Sequence, residues 1–310
     1  MIVTVTLNTA LDLCYEVEGV TWDGTNQVGP PSYRAAGRGV IVARVLHTFG
    51  HEVVAGGLAG GGTGELIKAD LARSGVPTQF TRTGRDSRRV IWMTDTRRGT
   101  TACFREPAPF ITTEELGRFA ADYRRLAKDA TAVVLCGSLA AGLPPEIFGS
   151  LATYAADVGV PVVLHAAGSA LRLGVARRPA LVVPDVMPAD HAAHARELVA
   201  SGVGAVVTPY PGGIHAVAPG EEWRARGVAI DDAGSGPAGP DPAAETAWSG
   251  GARGAVVAGL IPGALLGWSW PDRLRHALAL AAAADPYGGI DLTAYERFMA
   301  DVVVERGTRG

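Results

Sequence analysis

Residues 132–165 read AVVLCGSLAAGLPPEIFGSLATYAADVGVPVVLH, and this stretch decides the fold. Ala132–Cys136 is an unbroken apolar run, short enough for a strand buried on both faces. Pro144–Val158 carries apolar residues at helical spacing, has Glu146 in its first turn and ends before Gly159. Val162–His165 is a second buried strand. A strand, a helix and a strand in this order form a crossover unit whose two strands lie parallel.

The same alternation extends in both directions. Ile2–Leu7, Glu52–Ala55, Leu181–Val183 and Ala205–Thr208 read as strands. Gly37–Phe49, Gly64–Ser74, Gly254–Leu266, Asp272–Ala284 and Thr293–Glu305 read as helices, and a helix follows Leu181–Val183. Repeated units of this kind predict an α/β domain over residues 1–310, with a mostly parallel sheet between two helical layers. Cys14–Tyr33 and Ser87–Arg105 break the alternation and read as antiparallel strands of a small separate sheet. Residues 231–245 (DDAGSGPAGPDPAAE) are rich in glycine, proline and alanine and predict a mobile loop.

Composition excludes several classes. The chain has 310 residues, 47% of them hydrophobic, which supports a sizeable core and excludes global disorder. The formal net charge of −3 comes without a basic run, which argues against nucleic acid as a partner. Cys14, Cys103 and Cys136 are too few and scattered for a disulfide framework or a cysteine zinc site, and fit a reducing cytoplasm. The opening MIVTVTLNTALD alternates like a strand and lacks the basic start of a signal peptide. The stretch Ala255–Trp270 is interrupted by glycines, a proline and a serine and falls short of the roughly 20 apolar residues of a membrane span.

Several motifs invite a functional reading and have a plainer one. Gly56–Gly64 (GGLAGGGTG) lacks the spacing of a dinucleotide fingerprint and reads as a tight turn between strand and helix. His191 and His194 share a helix face, but no third metal ligand is evident. His47 and His51 are weaker still. Ser138 in CGSLAAG lacks a nucleophile elbow. Gly250–Gly259 (GGARGAVVAG) is a glycine-rich entry to an apolar helix, where free amides form an anion site or are simply capped.

Five segments in order resemble the ribokinase-like, or PfkB, carbohydrate kinases, and most closely the branch with 1-phosphofructokinase and tagatose-6-phosphate kinase. TVTLNTALD (4–12) is similar to TVTLNPALD, and AAGRGVIVARVL (35–46) to AGGKGINVARVL. SRRVIWMTD with REPAP resembles TRxNVK with NEPGP. CGSLAAGLPPEIF resembles GSLPPGLPPDFY, and GARGAVVAGL (251–260) resembles GAGDAFVAGF. The resemblance implies a ribokinase-like three-layer fold with a β-sheet lid, formed by about residues 14–33 and 87–105, over a sugar-phosphate site. It implies ATP and magnesium as cofactors if the chain is a kinase, and a homodimer through the lid.

The departures from the family pattern fall on the chemistry. The family's general base, an aspartate, aligns with Gly254, leaving no catalytic residue there, and a positioned base is worth about 10²–10⁴ in rate. The anion hole becomes Gly251, Ala252, Arg253 and Gly254, with an arginine side chain where open backbone is needed. The N-x-x-E element, which helps organise magnesium and phosphate, becomes PDVMP, with Asp185 for the asparagine and Pro188 for the glutamate. The nucleotide loop becomes PYPGGIH, in which Pro209 and Pro211 flanking Tyr210 remove amide donors. Trp248 lies near the expected adenine side. No metal ligand set is predicted.

In the ligand pocket, Ile41, Val90 and Arg105 replace asparagines, and Trp92 replaces a lysine. Asn8, Asp12, Gly37, Arg38 and Arg88 keep matching or similar types. Arg38, Arg88 and Arg105 read either as a cationic pocket for an anion or as solvated lid residues. The apolar replacements suit a ligand less hydroxylated than a hexose phosphate. Three functions follow from this pattern. The first is a pseudokinase that binds a small anionic ligand. The second is an active ATP-dependent kinase whose base comes from Asp231, Asp232 or Asp241. The third is different chemistry using Asp12, Asp185, His165 or His215.

Overall fold

The computed structural model describes residues 1–185, 190–228 and 250–307. A ten-stranded sheet is built from β1 (Ile2–Thr6), β4 (Val53–Gly60), β5 (Thr78–Thr83), β8 (Ala132–Cys136), β9 (Val162–His165), β10 (Leu181–Val182), β11 (Val206–Tyr210), β12 (Gly213–Ala218), β13 (Glu221–Arg226) and β14 (Val303–Arg306). Their order is β14-β13-β12-β11-β10-β9-β8-β1-β4-β5. Pairing is parallel from β5 to β11 and antiparallel from β11 to β14.

The helices are α1 (Arg38–Thr48), α2 (Gly61–Arg73), α3 (Thr113–Lys128), α4 (Ile147–Asp157), α5 (Gly168–Val175), α6 (His191–Ala200), α7 (Gly250–Leu266), α8 (Trp270–Ala283) and α9 (Leu292–Asp301). They form two layers because the strands are apolar on both faces. Along β8, Val134 and Cys136 face one core with α1, α2, α7 and α8. Val133 and Leu135 face the other, with Phe119 and Tyr123 of α3 and Phe148 and Leu151 of α4. The 132–165 reading is borne out: both strands have the expected bounds, and the helix between them starts three residues later than expected.

The small sheet contains β2 (Ala10–Val17), β3 (Ser32–Ala36), β6 (Arg88–Asp95) and β7 (Thr100–Arg105), in the order β3-β2-β6-β7. It corrects the expectation in two ways. The strands expected over Cys14–Tyr33 begin at Ala10 and end at Ala36, while residues 18–30 form no strand. The β2–β6 pair is parallel, because the first half of the main domain intervenes between these strands and returns the chain in the same direction.

Other elements also differ from expectation. The glycine run Gly56–Gly60 continues strand β4, and the turn falls at Gly61. A Cβ at Gly57 would lie 1.9 Å from the Thr6 carbonyl oxygen, at φ +129°, so the strand requires glycine there. The helix expected over Thr293–Glu305 stops at Asp301. Val303–Arg306 instead pairs antiparallel with β13, since an open sheet edge favours the β-branched run Val302–Val304. Strands β5, β12 and β13 and helix α3 were not foreseen. The last has a full capping box between Thr112 and Glu115.

A buried carboxylate ties the small sheet to the body. Asp70 of α2 accepts hydrogen bonds from the Ala35 amide of β3 at 2.7 Å and from Arg44 of α1 at 2.7 Å. Arg44 in turn donates to the Tyr287 carbonyl at 2.6 Å. No helix among the described residues is long and apolar enough to cross a membrane.

Candidate functional site

Ligands of open α/β sheets bind beyond the carboxyl ends of the strands, where the strand order reverses. Here β1 has β4 on one side and β8 on the other. At that point Asn8, just after β1, donates from Nδ2 to Ser138 Oγ, just after β8, at 3.1 Å. The residues that share one face of the small sheet are set by strand register. Ala10 pairs with Arg88, Asp12 with Val90 and Val90 with Arg105, and Cys14 with Trp92 and Trp92 with Cys103. Period-two alternation puts these rows on one face of the sheet. Cys14 Sγ meets Tyr287 Oη of the main body at 2.8 Å, joining the lid to the segment after α8.

Asp12 is buried and accepts a hydrogen bond from Trp92 Nε1 at 3.2 Å. Burial pushes its carboxyl up to about 6. The Trp92 hydrogen bond and the charges of Arg88 and Arg105 oppose this only in part. Burial also lowers the Arg88 guanidinium, and Asp12 opposes that shift. Arg88 Nε and Asn8 Oδ1 are buried without a hydrogen-bond partner among the described residues. They offer a donor and an acceptor to a ligand.

A second group stands at the start of α7. Asp185 follows β10, and its Oδ1 lies 3.1 Å from Arg38 Nη2 and 3.0 Å from Arg253 Nη1. Arg253 Nη1 also contacts the Asp185 carbonyl at 3.3 Å. His165 is fully buried at the end of β9; its Nδ1 lies 2.7 Å from the Val183 carbonyl, and its Nε2 lies 3.7 Å from Asp185 Oδ1. Burial raises the Asp185 carboxyl, but Arg38, His165 and Arg253 more than offset this and hold it well below the usual carboxylate range. Burial lowers the His165 imidazole, with Asp185 opposing. The first turn of α7 is crowded as well: a Cβ at Gly250 would lie 2.7 Å from Arg38 Nη1.

Ile41 of α1 packs against the backbone of Gly254, the position at which the sequence reading expects a general base to be replaced. A Cβ at Gly254 would lie 2.4 Å from Ile41 Cγ2 and 3.0 Å from Ile41 Cβ. Gly254→Asp is therefore expected to cost about 1–3 kcal/mol through overpacking. Shortening Ile41 to alanine in the same chain is expected to recover most of that loss. Denaturant unfolding of the two single variants and the double variant measures this coupling, and strict additivity would contradict it.

Asp185 is the carboxylate of this cluster that a magnesium ion could meet, and it is already engaged. Asp185 is held by two guanidinium groups, and among the described residues no three or more His, Cys, Asp or Glu side chains are placed to hold a metal. In the segment expected to face a nucleotide, Pro209 and Tyr210 end β11, and the Tyr210 ring stacks on His191 at 5.5 Å with an interplanar angle of 13°.

The predicted residues thus form two neighbouring groups. Asn8, Asp12, Arg88, Val90, Trp92 and Arg105 lie at the lid. Arg38, Asp185 and Arg253 form an ion-pair cluster at α7, flanked by Ile41 and Gly254, and Gly37 precedes α1 at φ +123°. His215 stands apart. It is buried with Nε2 2.9 Å from Glu222, which also accepts two hydrogen bonds from Arg196, a packing role between α6, β12 and β13. Sequence reasoning missed Tyr287, whose hydroxyl meets Cys14, and Asp285, whose carboxylate accepts from the Tyr287 and Gly289 amides and whose carbonyl packs against Gly251. Pro188, Trp248 and the 231–245 segment with Asp231, Asp232 and Asp241 lie outside the described residues.

Comparison with known proteins identifies the family and the fold. The model of the pfkB family of carbohydrate kinases matches residues 5–187. A 1-phosphofructokinase of Rhodobacter capsulatus is 33% identical over 314 residues, covering 96% of this chain and 95% of that one. The structure of a possible 1-phosphofructokinase from Thermotoga maritima superposes with a TM-score of 0.84 at 21% identity, covering 99% of both chains. Phosphofructokinase-2 of Escherichia coli in complex with fructose-6-phosphate gives a TM-score of 0.78 at 21% identity, over 96% of this chain and 98% of that one. The fold is ribokinase-like, with the small sheet in addition to the main one.

Proposed function

The chain belongs to the pfkB family of carbohydrate kinases, and from that premise we propose that it binds a small anionic ligand under the lid without transferring a phosphoryl group to it. One observation carries this reading: Arg38 and Arg253 hold Asp185 between them at the start of α7. Phosphoryl transfer depends on metal and cationic groups positioned for the transferring phosphate and on a base for the acceptor. Here the cations are spent on an internal carboxylate, and Ile41 fills the space beside Gly254.

The lid side suits an anion with an apolar or aromatic body. Arg88 and Arg105 supply charge-assisted donors, Trp92 and Val90 supply the wall, and Asp12 supplies one polar contact. The proposed setting is a reducing cytoplasm, and the proposed assembly is a homodimer through the lid.

A second reading is an active 1-phosphofructokinase-like kinase using ATP and magnesium, with a base from outside the described residues. The 33% identity to a 1-phosphofructokinase across nearly the whole chain favours it, and the comparisons support this reading better than they support lost catalysis. Different chemistry on the same pocket draws less support, because His165 and Asp185 stand beyond hydrogen-bond reach of each other.

Equilibrium binding tests the pocket. Phenyl phosphate is expected to bind more tightly than fructose 6-phosphate, and Arg88→Gln to weaken it about tenfold, or about 1.4 kcal/mol. A preference for the hexose phosphate, or affinity indifferent to Arg88, would contradict the assignment.

A further inference from the structure

The amino edge of the main sheet, opposite the cleft, holds a partly enclosed cavity of about 120 Å³. It exists because the chain places short side chains where β8 to β11 begin. Ala132, Pro161, Ala180 and Ala205 stand there, and they do not fill the space below Leu260 and Ile261 of α7. Protein interiors seldom leave a void much larger than a water molecule. Ordered water is a poor occupant, since it needs two to four polar partners and this lining is almost wholly apolar.

The exception is Arg273 of α8, which carries the one charge among the described lining residues. It is half-buried, and its Nε donates to the Trp268 carbonyl at 2.9 Å. Its guanidinium lies 4.9 Å from the Trp270 ring centroid, so both bonds and stacking fix its orientation. Among the described residues its Nη groups make no hydrogen bond and no close ion pair, and the nearest opposing charge that acts on it is the Glu221 carboxylate. A pre-oriented guanidinium edge beside an apolar hollow matches a carboxylate on a hydrocarbon body. An enclosed apolar cavity of about 150 Å³ accepts benzene; this one is smaller, about 120 Å³, but it is only partly enclosed, so a ring can enter it with its carboxylate left at the open side.

We infer that this cavity is a second ligand site, separate from the cleft, for a small apolar carboxylate with a ring or chain of about six carbons. The hydrocarbon fills the space between the strand starts and α7, and the carboxylate accepts from the Arg273 Nη groups. The site does not depend on whether the cleft is catalytic, because it lies at the opposite edge of the sheet.

The test uses the full chain with benzoate as probe and benzyl alcohol as its neutral counterpart, read by ligand-observed NMR titration. Benzoate is expected to bind saturably and more tightly than benzyl alcohol. Arg273→Gln is expected to lower benzoate affinity about tenfold and leave benzyl alcohol unchanged. Ala180→Leu places bulk at the exposed rim, where folding tolerates it, and is expected to weaken both probes; circular dichroism melting confirms that each variant is folded. Absence of saturable benzoate binding, or binding unchanged in both folded variants, overturns the inference and leaves the cavity a packing void.

Discussion

Asp185→Ala is expected to lower the free energy of unfolding by about 3 kcal/mol, measured by urea denaturation near pH 7. The carboxylate pairs with Arg38 and Arg253 at once and offsets one of their two positive charges, and the Arg253 side chain is only 8% exposed. Removing it leaves two cations close together with less solvent than they need, and the loss exceeds what an exposed pair would show. Asp185→Asn keeps the shape and an acceptor but not the charge. It is expected to fall between wild type and alanine, nearer alanine. Full stability in both variants would mean that the cluster is solvated and leaves the arginines available for other work.

The second large effect is a pH dependence at Asp12. Its carboxyl is pushed from an ordinary 3.8 to about 6, a difference of about 3 kcal/mol in the balance of its two protonation states. Because the folded value is raised, the stabilising contribution is fully present below about pH 3.8 and is lost as pH rises through about 6. Above pH 7 the fold therefore carries a buried charge at a cost. Asp12→Asn removes that cost while retaining an acceptor for Trp92 Nε1. The variant is expected to gain up to about 3 kcal/mol over wild type at pH 8 and little near pH 3.5. An anion held by Arg88 and Arg105 should bind wild type more tightly at pH 5 than at pH 7.5, and the variant should flatten that slope. A stability difference independent of pH would show that Asp12 is not desolvated.

The sequence makes the parallel core legible because its strands are buried on both faces and read as plain apolar runs, as in Ala132–Cys136 and Val162–His165. The lid is legible only as a break in that pattern. Its β2–β6 pairing joins residues some eighty positions apart, and local alternation carries no information about direction. The hairpin β12–β13 and strand β14 depend on an edge that only the assembled sheet provides. At the site, the identities of Gly254, Arg253 and Asp185 are visible in the sequence. The ion pairs that join Arg253, Asp185 and Arg38 are not, because they connect the starts of α1 and α7 with the end of β10. The same holds for the contact of Ile41 with Gly254, which turns a missing carboxylate into a filled space.

Phosphoryl transfer itself tests the central claim most directly. The full chain is incubated with ATP and magnesium and a panel of hexoses and hexose phosphates, with products followed by mass and an active family kinase run in parallel. No phosphorylated product above the uncatalysed background is expected for any acceptor. Turnover in the range of about 1–100 per second, as kinases show, would contradict it and place a working base and metal site in this cleft.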